Sequence, residues 1–433
     1  KKKKTFIYYE VLFIYELILK SLLPMKKKLL ASAVLLSMNI GVMAQNDLIK
    51  SVIDGSFFNF PQIRESVCDM RMFFPTKGVK PAEYNRYEFK EKHDDAIANV
   101  MFETLNGELI SFEESLDLAK ADGIIVLHKG KIVFERYYGF LEPDGTHAVM
   151  SVSKTLTGTL GAVLVAQGIL DENKKASYYV PELSASAFGN ATIRELLDMT
   201  TALDYDENYN NPNSRIWEFS QAGTPYPKPE NYKGAKSYRE FLQTVKQKGK
   251  HGQKFAYKTI NTDALAWVIT RVCDKPLANL ISEYFWQPMG AHFEGYYQLD
   301  ATGTEFAGGG FNGALRDLAA FGEMIRNDGF FNGKQIIPKG LMKDIIENSN
   351  ANKFDKESYP LLKGWAYRNM WWVMKNSDQA FCARGVHGQV IYINPTAETV
   401  IVRLASHPEA SNGVNDPFSL PAYQAVADYL KTK

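Results

Sequence analysis

The sequence predicts an α+β fold in which strands from both ends of the chain share one antiparallel sheet flanked by helices, with a helical subdomain between. Three observations carry this. "DGIIVLHKGKIVFERYYGF", residues 122–140, reads as two β-branched runs about a Lys-Gly turn at Lys129 and Gly130, a hairpin signature. "FCARGVHGQVIYINPTAETVIVRLAS", residues 381–406, holds two further β runs separated by a Pro-containing turn. Between these stretches the apolar spacing is helical.

Taken in order, "MKKKLLASAVLLSMNIGVMAQ" has a basic start at Lys26 to Lys28, an apolar run and a small-residue exit near Ala44. This is the pattern of a secretory signal peptide, so a mature chain from about Gln45 and a periplasmic or secreted location are expected. Residues 1–24 are apolar but interrupted by Glu10 and Glu16 and are read as upstream sequence. No stable membrane anchor is expected after cleavage. Residues 45–110 mix polar and aromatic residues without a period and are read as an N-terminal arm, leading to a helix near Phe112 to Ala121. The main domain is placed at 111–433, and its hairpin leads straight into the apolar stretch that starts at Ser151.

In "NATIRELLDMTTAL", Thr192 stands three residues before Glu195, a capping-box spacing that starts a helix at about Ile193. Residues 205–250 are rich in Asn, Pro, Tyr, Lys and Gly, with one helix near Tyr238 to Lys246; a loop segment of this length shapes a binding site. Ala264, Leu265, Trp267, Val268 and Val272 recur on one face of a helix after "KFAYKTIN". "AGGGFNGALRDLAAFGEMIRNDG" is a Gly-rich lead-in followed by another helix, and a last helix lies near Ala422 to Leu430. No internal repeat interrupts this order.

Charge and composition exclude several partner classes. The whole sequence carries +1; residues 1–44 hold eight lysines and two acids, so the remainder is net acidic at −5. Neither nucleic acid nor an anionic membrane is an expected partner, which leaves a small-molecule substrate. Cys68, Cys273 and Cys382 lie far apart and show no metal-ligand spacing, no H-E-x-x-H occurs, and the seven histidines are scattered. No disulfide, metal or cofactor is expected, and oligomeric state stays open.

The chemistry starts at Ser151 and Lys154. At i and i+3 on a helix their side chains share one face, about 5 to 6 Å apart at Cβ. A serine hydroxyl is a poor nucleophile until a base takes its proton, and a lysine serves once burial or nearby charge lowers its pKa. The helix N-terminus also favours negative charge developing near the serine. Alone, this S-x-x-K spacing is weak: with 23 serines about two such tetrapeptides arise by chance, and here there is one. On the tetrapeptide alone, a capping serine with a solvated lysine is the favoured explanation.

Six segments in order raise its weight: "GIIVLHKGKIVFERYYG", "MSVSKTLTG", "LLDMTTALDYDENY", "FAYKTINTDALAWVITRV", "GGGFNGALRDLAAFGEMI" and "GVHGQVIYINP". From about Gly123 to the C-terminus the chain resembles the serine β-lactamase-like hydrolases, in the branch of class C β-lactamases, esterases and 6-aminohexanoate-oligomer hydrolases. The resemblance implies a β-lactamase/transpeptidase-like fold and catalysis by Ser151, Lys154 and Tyr257, the last relaying a proton between the other two. A phenol near an ammonium loses its proton more easily, which suits Tyr257 to general-base work. Thr259 takes the place that β-lactamases fill with asparagine. The family's Lys-Thr-Gly strand corresponds here to Ala383, Arg384 and Gly385, so the groups that recognise a β-lactam carboxylate are altered. Gly385 lets substrate approach the strand, Arg384 either binds a carboxylate or points away, and the N–H groups of Ser151 and Val386 form an oxyanion hole. In the alternative frame "VHG", His387 enters the site. Tyr209 either contacts the scissile amide or is a plain loop aromatic. Trp365, Trp371 and Trp372 read as core, or one of them as a wall of the acyl pocket.

The resulting expectation is a serine hydrolase acting through an acyl-enzyme on carboxylic esters or small linear amides. The alternatives are a β-lactamase or D-alanyl-D-alanine carboxypeptidase and, in another class, a non-catalytic ligand-binding or sensor module.

Overall fold

Eight strands form the large sheet of the computed structural model, which describes residues 47–209 and 211–433. In chain order they are β1 (Lys90–Glu91), β2 (Ala121–His128), β3 (Lys131–Tyr137), β4 (Ala366–Arg368), β5 (Trp371–Val373), β6 (Phe381–Gly385), β7 (Gln389–Asn394) and β8 (Thr399–Ala405). Across the sheet they run β4-β5-β6-β7-β8-β2-β3-β1. The N-terminal hairpin and the C-terminal strands therefore meet at β8 and β2, with Val402 opposite Ile125. Every pair is antiparallel except the edge strand β1, which runs parallel to β3. All eight residues of β2 are buried, and a strand covered on both faces reads as a continuous apolar run. Its turn has φ 51° at Lys129 and 72° at Gly130, the paired left-handed geometry of a two-residue hairpin.

The signal-peptide and upstream readings of residues 1–44 lie outside the described residues. The chain divides into two compact units, one ending at Phe57 and one spanning Phe58–Lys433. In the first, the Ser51 hydroxyl donates to the Leu48 carbonyl at 2.7 Å, one helical turn back. From Phe58 onward the structure differs from a simple arm. This segment supplies β1 to the large sheet and Thr76–Val79 to a second sheet, ordered Thr76–Val79, Gly295–Gln298, Phe311–Gly313, His147–Ala148. Strands of two and four residues are too short to show a period in sequence.

Six helices matter for the site: α1 (Phe112–Leu118), α2 (Val152–Ala166), α3 (Ile193–Leu197), α4 (Ile260–Cys273), α5 (Leu315–Arg326) and α6 (Asp416–Lys431). The capping box before α3 is present: Glu195 N–H donates to Thr192 Oγ1 at 3.2 Å and Thr192 N–H to Glu195 Oε2 at 2.8 Å. Helix α2 is buried on every side from Val152 to Leu164. Gly158 makes that possible, since a Cβ there would stand 2.5 Å from the Asn369 carbonyl oxygen.

Three boundaries differ from the sequence reading. The run 381–394 is two strands, because His387 (φ 61°) and Gly388 (φ 96°) break it between β6 and β7. The 205–250 segment holds a second helix, Arg215–Gly223, which buries Ile216 and Phe219 amid turn-forming neighbours. Helix α6 begins at Asp416 rather than near Ala422, with Pro417 in its first turn and Pro421 inside. Pro421 cannot donate to the Pro417 carbonyl, and Leu105 N–H takes that acceptor at 2.8 Å.

Candidate active site

The backbone reaches Ser151 through a strained step. Met150 has φ 47°, a left-handed conformation that a long side chain avoids unless its surroundings impose it. Ser151 then opens α2, and its hydroxyl makes no capping hydrogen bond. Local structural work falls to Ser153, whose Oγ donates to the Met150 carbonyl at 2.6 Å and accepts from Phe311 N–H at 3.0 Å. The capping interpretation of Ser151 therefore fails, and its hydroxyl is left for another partner.

That partner is Lys154. Its side chain is 1% exposed, and Nζ donates to Ser151 Oγ at 2.8 Å and to the Gly308 carbonyl. Its ammonium also lies 5.1 Å from the centre of the Tyr257 ring. Burial pulls the amine down to about 8, with the charges of Glu207 and Asp263 opposing part of the fall. A lysine solvated at a helix start would show none of this.

Tyr257 brings its hydroxyl within hydrogen-bonding reach of Ser151. Its ring packs against Trp372 at 5.3 Å and edge-on to Tyr367 at 6.3 Å, so Trp372 forms a wall of the site while Trp371 sits in the core against Phe381. Burial, Tyr367 and Glu207 push the phenol well above its ordinary value, and the bond to Ser151 offsets only part of this. The expectation that the lysine eases deprotonation of Tyr257 is thereby corrected. Desolvation raises the phenol and lowers the amine, so of these two neighbours of Ser151 it is Lys154 that shifts toward neutrality.

Thr259, just beyond Tyr257, donates both its N–H and its hydroxyl to Glu207, the hydroxyl at 3.0 Å. Glu207 was not foreseen, although it lies in the quoted "LDYDENY". Burial raises its carboxyl, while Lys154 and Thr259 act the other way. Tyr209 also reaches Thr259 with its hydroxyl, and its ring meets Trp217 edge-on at 6.1 Å. Tyr209 thus stands beside the cluster, held through Thr259.

Strand β6 places Gly385 against Ser151: a Cβ there would stand 3.0 Å from Ser151 N and 2.7 Å from the Val149 carbonyl oxygen. Val386 follows directly, so its peptide borders Ser151. The alternative frame is corrected, because His387 is committed elsewhere. Its Nδ1 meets the His407 carbonyl at 2.7 Å, its ring stacks on Phe58 at 5.9 Å, and burial lowers its pKa. Arg384, a candidate carboxylate anchor, is likewise engaged. Alternation along β6 turns it away from Ser151 to a buried ion pair with Asp416, with its guanidinium carbon 5.2 Å from the Trp372 ring centre.

A helix-borne serine bonded to a buried lysine, beside a sheet strand whose glycine touches the serine N–H, defines the class of serine hydrolases with a β-lactamase-like fold. The comparisons agree. The Beta-lactamase family profile matches residues 119–423, and the chain belongs to that family. It is 30% identical over 319 residues to a 6-aminohexanoate-dimer hydrolase of Paenarthrobacter ureafaciens, covering 72% of this chain and 79% of that protein. A solved structure from Bacillus anthracis, provisionally named a 6-aminohexanoate-dimer hydrolase, superposes with TM-score 0.80 at 30% identity, covering 87% of this chain and 96% of the other. A family VIII carboxylesterase shares the fold at TM-score 0.54 and 16% identity, over 78% of this chain and all of its own.

Proposed function

We propose that the chain cleaves carboxylic esters or small linear amides through an acyl-enzyme on Ser151, with Lys154 as base and Tyr257 as proton relay. The observation that carries this reading is the 2.8 Å contact between Lys154 Nζ and Ser151 Oγ, made by an amine lowered to about 8. Neutral Lys154 takes the Ser151 proton as Oγ bonds to the substrate carbonyl carbon and the carbonyl π pair moves to oxygen. The N–H groups of Ser151 and Val386, with the positive end of α2, hold that oxyanion. Collapse expels the alkoxide or amine, which takes a proton from the Tyr257 phenol; Lys154 ammonium restores the phenol. Water then attacks the acyl carbon, passing its proton to Lys154; collapse breaks the bond to Ser151 Oγ, which takes that proton back from Lys154 as the acid leaves.

The substrate class is supported by the printed names of the relatives, a 6-aminohexanoate-dimer hydrolase and a carboxylesterase. Preference for these over β-lactams follows from Arg384: its charge is held by Asp416, so β6 presents no free anion anchor. The experiment is intact-mass measurement after a fluorophosphonate and, separately, a penicillin, with kcat/KM compared for p-nitrophenyl acetate, a 6-aminohexanoate dimer and nitrocefin. Fluorophosphonate labelling at Ser151 with weak nitrocefin turnover is expected. Nitrocefin turnover exceeding both other substrates would return the site to β-lactam chemistry, and an unlabelled Ser151 would end the hydrolase reading. The pattern at residues 25–44 supports export, which is tested by N-terminal sequencing of protein from its native host, with a start near Gln45 expected.

A further inference from the structure

A second buried acid stands near Lys154. Asp263, in the first turn of α4, is 5% exposed. Its Oδ1 accepts from Gly308 N–H at 3.3 Å, while the carbonyl of the same glycine accepts from Lys154 Nζ. One residue therefore links the two charged groups, its N–H facing the acid and its C=O the amine. Gly308 admits no side chain, since a Cβ there would stand 2.4 Å from Thr259 Cγ2 and 2.8 Å from Asp263 Oδ2.

Asp263 Oδ2 is buried without a partner among the described residues. It lines a cavity with Tyr238, Arg239, Trp267 and Glu305, and Trp267 Nε1 and Arg239 Nε are unpartnered there too. The cavity has about 10 Å³ of room for the centre of a water molecule, space for one.

We propose that Asp263 is a positioning residue: through Gly308 it fixes the Lys154 amine against Ser151, and its negative charge governs when that amine gives up its proton. The proposal rests on the serine-hydrolase reading above. Other groups act on the pair. Glu207 lies near both, Tyr257 faces Lys154, and Tyr205, Tyr238 and Tyr297 lie within range of the Asp263 charge. Burial raises the Asp263 carboxyl to about 7, close to the value of about 8 for Lys154, so the two protons come off as a coupled pair.

The test is the pH dependence of p-nitrophenyl ester kcat/KM, and of fluorophosphonate labelling of Ser151, in wild type and Asp263→Asn. Asparagine keeps an oxygen for Gly308 N–H and loses the charge that favours the ammonium. The acid limb is therefore expected to move to lower pH by about one unit or more in both assays. A folded Asp263→Asn protein whose limb stays at the wild-type position overturns the proposal. If that variant does not fold, infrared spectra of the otherwise native protein decide. A carboxylic acid band must disappear between about pH 6 and 8 and survive in Glu207→Gln; absence of the band overturns the proposal. Failure of wild-type Ser151 to label falls first on the hydrolase reading and takes this one with it, whereas labelling with an unmoved limb falls on Asp263 alone.

Discussion

Two buried cations border the packed rings of Tyr257 and Trp372, Lys154 at the tyrosine and Arg384 at the tryptophan, and they are held in opposite ways. Arg384 has a carboxylate, Asp416, in direct contact, and against the cost of burial that partner holds its pKa up. Lys154 contacts a hydroxyl and a carbonyl, with its carboxylates Glu207 and Asp263 close enough to be felt but not touching, and its pKa falls to about 8. Burial with a partner makes a fixed charge, suited to holding the strand β6 against α6. Burial with the partner one step removed brings an amine toward the range in which it gives up its proton. The same chain thus holds one cation as a fixed charge and leaves the other able to titrate, by the placing of a carboxylate.

The sharpest way to break this contrast is at the group Lys154 serves. Ser151→Ala is expected to abolish p-nitrophenyl ester hydrolysis while leaving thermal unfolding nearly unchanged, because Ser151 makes no capping bond. A folded variant retaining most of its activity would remove the nucleophile assignment. Arg384→Ala should act the other way round, leaving Asp416 buried and unpaired. About 3 to 5 kcal/mol of stability should go, read as a lower urea midpoint, with the chemistry of the surviving folded protein altered far less. Lys154→Ala and Tyr257→Phe should each lower kcat by about a hundredfold or more. Their effects should not multiply in the double variant, since both lie on one proton path.

Wild-type kcat/KM gives a gentler test, for the protonated amine cannot accept the Ser151 proton. Activity should rise with pH to a half-point near 8 and fall about tenfold for each unit well below it. A profile flat from pH 6 to 9 would contradict Lys154 as the base. The smallest effect is expected from Arg384→Lys, which keeps the ion pair but loses the planar guanidinium over Trp372. A change within a few-fold in kcat/KM, with a modest drop in melting temperature, fits a structural charge. A loss near that of Lys154→Ala would place Arg384 in the chemistry after all.

Much of this was readable in the sequence because the signals are local. The hairpin declares itself by two β-branched runs about Lys129 and Gly130, and α3 by Thr192 and Glu195. Ser151 and Lys154 are singled out by their spacing, and Tyr257, Gly385 and Val386 only through the family resemblance of the segments that hold them. What escaped depends on distant partners. Arg384 could be an anchor or a strut until Asp416, far along the chain, is placed against it. His387 is settled by Phe58 and His407, neither of which a motif predicts. Glu207 and Asp263 are ordinary acids in sequence, although a lone acid in the apolar run "TDALAWVIT" is a signal that a core-facing carboxylate needs a reason. Tyr257 was misjudged as a base because its neighbours were legible and its desolvation was not.

The joining of β2 to β8 also fixes when the protein can be built. About 280 residues separate Ile125 from its partner Val402, so the centre of the sheet closes one of the longest loops the chain allows. Contacts of such range slow folding. The helix bearing Ser151 packs on a surface that does not exist until the last strands arrive, so a ribosome-bound chain lacking its final forty residues has a nucleophile in its sequence and no site to put it in.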